Sequence, residues 1–272
     1  MRYLSLVLLA FVFSCDDKLG SETTFLYEDG FENTGGDFLN LFPIDGSRWT
    51  NLQIVHPSLA DSNRISLTQN PVAEGDYALK LVAKPIGDLL SKLDIEKQGF
   101  QAFIGQNIRI EADFYIEGND ILQSLFLIDL ECCSCWDPDV PDNQCPGVRL
   151  QMSGGNDYLV MERGKILLPS ISQTNFAFPR DQWVNVIWEL QLSDEVDGFN
   201  SLKINGEEII SELGINMPNA LAFADTLGAS GFDFQLQQPL YYERIQIGAT
   251  ANASNAEVTM YIDNVSIEVK NN

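Results

Sequence analysis

Asp129 and Glu131 sit two residues apart at the end of LQSLFLIDLE, Leu122 to Glu131. In a strand with period two, Phe126, Ile128 and Leu130 share the buried face, while Leu127, Asp129 and Glu131 turn to the other. The segment is therefore expected to be a buried strand with an acidic end. Further polar residues alternate with apolar ones elsewhere: Arg109, Glu111, Asp113 and Tyr115 opposite Ile108, Ile110 and Phe114; Arg149 and Gln151 opposite Val148 and Leu150; Tyr242, Arg244 and Gln246 opposite Ile245 and Ile247; and Glu189 and Gln191. If these faces align on one concave sheet, they form a groove of carboxylates, guanidiniums, amides and a ring. That mixture suits sugars, whose hydroxyls take bidentate hydrogen bonds and whose apolar faces stack on rings. Trp136, just past the strand, is a candidate stacking ring at the groove rim. Asp137, Asp139 and Asp142 offer hard oxygens to calcium, without the spacing of an EF-hand loop.

These residues need strands to position them, and the chain supplies many. Short β-branched and aromatic stretches recur between Gly, Asn, Asp and Pro: Phe25 to Phe31, Tyr77 to Ala83, Ile108 to Ile116, Leu122 to Glu131, Val148 to Met152, Tyr158 to Met161, Trp183 to Leu192, Leu202 to Ile204, Tyr241 to Ile247 and Val258 to Val269. Ile86 to Lys97 fits a brief helix or another strand, and Ser211 to Leu227 a loop with one helical turn. Asn205-Gly206 marks the tip of a hairpin after Leu202. Pro138 and Pro141 exclude ladder pairing in the loop after Trp136. No fixed-period repeat appears, and many short strands indicate an all-β sandwich or barrel.

The 272 residues, 45% hydrophobic and 10% aromatic, suffice for one large domain. Residues 1–14 carry Arg2 and an apolar run from Tyr3 to Phe13, too short for the roughly 20 residues that span a bilayer, so they are expected to be a signal peptide. VFSC resembles a bacterial lipobox, which makes Cys15 the acylated first residue of the mature chain. The CDDK that follows is similar to the acidic tract of surface-exported Bacteroidetes lipoproteins. The expected division is signal 1–14, acylated Cys15 and tether 15–24, and a single domain over 25–272. Such a chain lies outside the cytoplasm, on the outer membrane and facing the cell surface, and touches membrane through its lipid alone. There, Cys132, Cys133, Cys135 and Cys145 are better read as two disulfides than as a four-thiolate zinc site, and a vicinal Cys132–Cys133 bridge is the least favoured pairing. The net charge of −23 repels polyanions, which excludes nucleic acid as a partner and sets a local basic groove or bridging cations as the condition for binding uronates.

QWVNVIWELQLSDEVDGFNSLKINGEEII, Gln182 to Ile210, resembles the "W-x-x-v … G … l-x-v-x-x-N-G" segment of concanavalin A-like jelly rolls, as found in laminin-G-like modules and polysaccharide lyases. GDYALKLVA at Gly75 to Ala83 is similar to an early strand of that family, and VTMYIDNVSIEV at Val258 to Val269 to its closing strand. The resemblance implies a jelly-roll β-sandwich of two antiparallel sheets. It also implies a structural calcium between first and last strands, for which Glu28, Asp29, Glu32 and Asp263 are the candidates. Leu127 to Glu131 is similar to the E-x-D-x-E strand of laminarinase-type glucanases, whose retaining chemistry needs two carboxyl groups about 5 Å apart. Asp129 matches the middle Asp and Glu131 the acid/base, but Leu127 stands at the nucleophile position, which leaves Glu189 as the substitute. For a jelly-roll lyase the base would be His or Tyr. The one histidine, His56, lies in an IVHPS turn, and the alginate-lyase patterns "R-x-E-x-R", "Q-I-H" and "Y-x-K-x-G-x-Y" have no match; YLVMERGK, Tyr158 to Lys165, keeps a Tyr and a Lys at other spacing.

The resulting expectation is a surface lipoprotein that binds glycan through Arg149, Gln151, Trp136, Tyr242, Arg244 and Gln246 on a concave sheet, with structural calcium and no organic cofactor. The alternative is a polysaccharide-cleaving lyase or hydrolase acting through Asp129, Glu131 and Glu189. A structural or adhesive lipoprotein ranks third.

Overall fold

The structure is a computed structural model that describes residues 22–85, 91–141, 145–166 and 171–272. Cys15 and the whole leader, Asp142, and the start of the segment 86–97 lie outside the described residues. Fifteen strands account for the architecture: β1 (Thr23–Asp29), β2 (Asn51–Val55), β3 (Arg64–Thr68), β4 (Ala78–Ala83), β5 (Lys92–Phe103), β6 (Asn107–Ile116), β7 (Ser124–Glu131), β8 (Gly147–Ser153), β9 (Tyr158–Glu162), β10 (Ile171–Ala177), β11 (Trp183–Gln191), β12 (Phe199–Ile204), β13 (Glu207–Leu213), β14 (Tyr241–Asn252) and β15 (Val258–Lys270).

An eight-stranded sheet runs β13-β12-β11-β6-β15-β4-β3, with β1 also on β15, and a seven-stranded sheet runs β10-β9-β8-β7-β14-β5-β2. Every pairing is antiparallel. The inner faces of both sheets contribute to one apolar core, as a sandwich requires. β6 shows how the sequence directs this: Ile108, Ile110, Ala112, Phe114 and Ile116 are buried, while the intervening Arg109, Glu111, Asp113 and Tyr115 are partly exposed. Trp49, Trp188, Phe31 and Phe114 are fully buried in the core, each stabilising it by about 1.5–3 kcal/mol or more relative to exposure.

Asn205 (φ 49°) and Gly206 (φ 83°) join β12 to β13 as the sequence indicates; both positive angles suit the two central positions of a tight hairpin. One open alternative is decided in favour of a strand and one expectation changes. Of the segment 86–97, the residues from Lys92 onward form the start of β5, one of the longest strands, because Leu93 and Ile95 alternate with Lys92, Asp94 and Glu96 between two partner strands. The presumed loop Ser211 to Leu227 instead completes β13 and enters α1 (Ala220–Ala229), whose N-cap Asn219 accepts the Ala222 N–H at 3.0 Å. Among the described residues no helix is long and apolar enough to cross a membrane.

Candidate functional site

β7 is central in the seven-stranded sheet, between β8 and β14. Its ladder with β8 slips between Phe126 and Ile128, so that Phe126 lies opposite Gln151, Asp129 opposite Arg149, and Glu131 opposite Gly147. The slip resets the alternation. Leu125, Leu127, Ile128 and Leu130 are all buried in the core, and Phe126, expected there, instead shares a pocket with Asp129 and Glu131. On the other side of β7, Arg244 lies opposite Glu131 and Gln246 opposite Asp129. β5 adds Glu96 opposite Gln246, then Asp94 and Lys92 further along.

The outer face of this sheet thus holds a pocket of about 370 Å³, lined among others by Asp129, Glu131, Arg149, Lys165, Arg244 and Gln246. Glu131 is buried between two cations. Arg244 places Nε 2.7 Å and Nη2 2.5 Å from its Oε2, and Lys165 Nζ bonds its Oε1. Lys165 also lies 3.6 Å from Asp129 Oδ2, and Arg149 Nε is 3.4 Å from Asp129 Oδ1. Arg149 continues toward Glu162, with Nη1 3.9 Å from Oε2, and its guanidinium carbon stands 4.9 Å from the Phe126 ring centroid. Glu96 accepts from Gln246 Nε2 at 2.7 Å, Gln53 Nε2 at 2.5 Å and Asn51 Nδ2 at 2.9 Å.

Burial opposes the charge of Arg244, but Glu131 and Glu96 outweigh it and hold the guanidinium more firmly protonated than usual. Burial pushes the Asp94 carboxyl well above the ordinary range; Lys92 opposes this, while Glu96, Asp129 and Glu131 add to it. Ten buried side-chain polar atoms among the described residues have no hydrogen-bond partner in the protein. Eight of them belong to this face: Asp94 Oδ1 and Oδ2, Asp129 Oδ1, Arg149 Nε, Gln151 Oε1, Glu162 Oε2, Gln246 Oε1 and Thr250 Oγ1. Leaving such groups unmade costs about 1–3 kcal/mol each, so their concentration at one place makes this face the candidate site.

The expected groove divides between the two sheets. Asp129, Glu131, Arg149, Gln151, Arg244 and Gln246 come together here. Arg109, Glu111, Asp113, Tyr115, Glu189 and Gln191 lie on β6 and β11 in the other sheet. Glu189 pairs there with Arg109 (3.3 Å) and Lys203 (3.1 Å), so it cannot serve as a partner of Glu131. Tyr242 also leaves the set: the β14–β5 ladder slips between Tyr242 and Arg244, and its fully buried hydroxyl donates to the Asn216 carbonyl at 2.6 Å. Trp136 packs against Phe234 and Phe223, with centroids 5.0 and 6.2 Å away, and donates Nε1 to the Val140 carbonyl at 2.9 Å. It supports a loop and does not line the pocket. His56 remains in its turn, accepting the Ser58 N–H at 3.1 Å.

The cysteines form two disulfides, Cys132–Cys135 and Cys133–Cys145. Cys145 reaches the pocket wall, so the second bridge ties the loop after β7 to the site. Three of the four carboxylates considered for calcium are engaged by protein donors. Asp29 is held by Arg48 at 2.5 and 3.0 Å and accepts the Phe31 N–H. Glu32 accepts the Asp76 and Tyr77 N–H groups at 2.8 Å, Asp263 those of Ala73, Glu74 and Asn264, and Glu28 projects from β1 opposite Ser266. Asp137 likewise accepts the Asp139 and Gln235 N–H groups.

Sequence reasoning missed Lys92, Asp94, Glu96 and Thr250, and weighed Lys165 only against the alginate-lyase patterns, whose spacing it lacks. The alternation in KLDIEK carried the first three. Lys165 comes from a short turn after β9, and nothing local in its sequence points toward β7.

No protein-family model and no curated protein matches the chain. Among solved structures, it is similar to the endo-β-1,4-glucuronan lyase from the fungus Trichoderma reesei, with 11% identity, 90% of this chain and 95% of that chain covered, and a TM-score of 0.61. It is also similar to the cellulose induced protein Cip1, with 15% identity, coverage of 89% and 96%, and a TM-score of 0.56. At these identities the likeness concerns fold alone: the chain is a jelly-roll β-sandwich of two antiparallel sheets.

Proposed function

We propose that this protein binds glycan in the charged pocket on the outer face of the seven-stranded sheet. The observation that carries this reading is the collection of eight buried polar atoms without a hydrogen bond around that pocket, five of them, on Asp94, Gln151, Gln246 and Thr250, outside the ion pairs of Arg149. Sugar hydroxyls both donate and accept, and so answer such a surface. A second cleft of about 880 Å³ shares Arg244 with the pocket and adds Phe25, Phe100, Phe103 and the amides of Gln98 and Gln101. This pairing of rings and amides suits additional sugar units along a chain. Both oxygens of Glu131 are engaged by cations and Glu189 is on the other sheet, which favours binding over retaining hydrolysis.

The second reading is a polysaccharide lyase. The fold it shares with a glucuronan lyase favours it, as does the presence of Lys165 and Arg244, an amine and a guanidinium, in one pocket. Incubating the protein with a polysaccharide panel, while following both retention and new unsaturated or reducing ends, separates the two. Retention without new ends supports binding, new unsaturated ends would transfer the pocket to the lyase reading, and failure to retain or cleave any glycan would overturn both. Within this proposal residues 1–14 are a signal peptide and Cys15 carries lipid, placing the domain at the outer-membrane surface; Cys15→Ala is then expected to release the protein from membranes.

A further inference from the structure

Resting on the glycan-binding reading, we infer that the pocket selects a protonated amino sugar, an ammonium flanked by hydroxyls, over a uronate. The unpartnered atoms are unequal in kind. Arg149 Nε, Asp129 Oδ1 and Glu162 Oε2 lack hydrogen bonds but belong to the ion pairs of Arg149; of the other five atoms, four are acceptor oxygens, on Asp94 (two), Gln151 and Gln246, and the Thr250 hydroxyl can act either way. What the site lacks is donors. An ammonium brings three N–H donors and each hydroxyl one, whereas a carboxylate brings none.

The cations able to receive a uronate are already taken. Arg244 and Lys165 hold Glu131, Lys165 also approaches Asp129, and Arg149 lies between Asp129 and Glu162. A uronate would have to displace buried carboxylates from them, leaving those carboxylates unpaired at a cost of several kcal/mol. Charge leads the same way. Glu96, Asp129, Glu131 and Glu162 balance Lys92, Arg149, Lys165 and Arg244 while Asp94 holds its proton; once Asp94 ionises, one added positive charge restores the balance. The chain as a whole, at −23, draws cations toward it.

Gln246 and Thr250 line the pocket, and with Asp94, fully buried beside them, they indicate where the ammonium sits. Asp94 lies opposite Gly248, between Gln246 and Thr250 on β14, where the ladder with β7 slips between Ile247 and Ala251. Asp94 is surrounded by Lys92 and Glu96 on its own strand, Asp129 and Glu131 on β7, and Arg244 on β14; β2 contributes the uncharged Gln53 opposite it. With its carboxyl raised by burial and by the neighbouring acids, Asp94 gives up a proton when an ammonium arrives.

The test is titration calorimetry of the intact protein with glucosamine, N-acetylglucosamine, glucose and glucuronate oligomers of equal length, at mildly acidic pH and moderate salt. The glucosamine oligomer is expected to bind about tenfold or more tighter than the others, a difference of about 1.4 kcal/mol, with proton release that shows as a buffer-dependent enthalpy. Asp94→Asn, nearly isosteric, is expected to remove both the preference and the proton release while keeping residual glycan binding. Diffuse attraction of a polycation to the acidic surface would survive that substitution, so an unchanged preference overturns the inference. Tighter glucuronate binding overturns it too but leaves the glycan-binding reading standing; no binding of any oligomer overturns both.

Discussion

Glu131 is held from both sides, by Arg244 at one oxygen and Lys165 at the other, inside a face that leaves it almost no contact with water. Removing one partner of a buried pair is costly because the remaining charge loses compensation. Arg244→Met, which keeps much of the packing, is therefore expected to lower stability by about 3 kcal/mol, read from the urea midpoint, and to weaken glycan retention. Asp94 shows the opposite case, a buried acid without a donor. Its folded pKa is raised, so the folded chain holds a proton that the unfolded chain releases. That contribution to stability is complete below the ordinary carboxylate range and is lost as pH rises through the raised value. Burial likewise pushes Asp263 up to about 6, against three backbone N–H bonds. Melting temperature should fall from acidic toward neutral pH, and Asp94→Asn should flatten that fall; an identical slope in the variant would exclude Asp94 as its source.

Between strands, the β7–β8 ladder depends on a residue without a side chain. A Cβ on Gly147 would run into the Leu130 carbonyl and approach Glu131 Cα to 3.0 Å, so the two strands can pair closely beneath the pocket only with glycine there. Gly147→Ala is expected to cost about 1–3 kcal/mol, as overpacking does, and to weaken ligand binding by shifting Glu131; chemical denaturation and calorimetry read the two effects. The Cys133–Cys145 bridge, spanning 12 residues, restrains the loop that rims the site. Its removal by Cys133→Ser with Cys145→Ser should lower stability by about 2–3 kcal/mol through the freer unfolded chain, a loss that adding reductant to the wild type should approach. Much at this scale was legible in sequence. The strands at Ile108 to Ile116 and Trp183 to Leu192 announced themselves by alternation. β5 was ambiguous because its charged residues alternate inside a segment that also suits a helix, and only its neighbours β2 and β14 choose between the two.

At the scale of the molecule, the first strand pairs with the last: Thr23 bonds Glu268, 245 residues away. Closing such distant contacts makes the sandwich a cooperative unit whose assembly depends on long-range pairing. The same molecule carries −23 at neutral pH, so its acidic surface repels itself in the compact state. Moderate salt, which shortens the Debye length to about 10 Å at 0.1 M, is expected to raise the melting temperature. A decrease would mean that the exposed ion pairs, such as Lys203–Glu189, outweigh the repulsion.

Local pattern alone determined the class of fold, most strand positions, the Asn205-Gly206 hairpin, the use of four cysteines as two bridges, and the polar ends of β7, β8 and β14. Each of these follows from a period, a turn preference or a composition, all properties of neighbouring residues. Alternation tells which side chains share a face of one strand, but it carries no information about which strands lie side by side. Glu189 and Glu131 look equivalent in sequence and end on opposite sheets; Phe126 and Leu127 exchange places because a ladder slips by one residue; Tyr242 goes to the core; and Trp136 finds Phe223 and Phe234 before any ligand. Lys165 and Asp94 join the site because long-range packing sets β5 and the turn after β9 against β7 and β14, and that order is decided by the burial of the whole core.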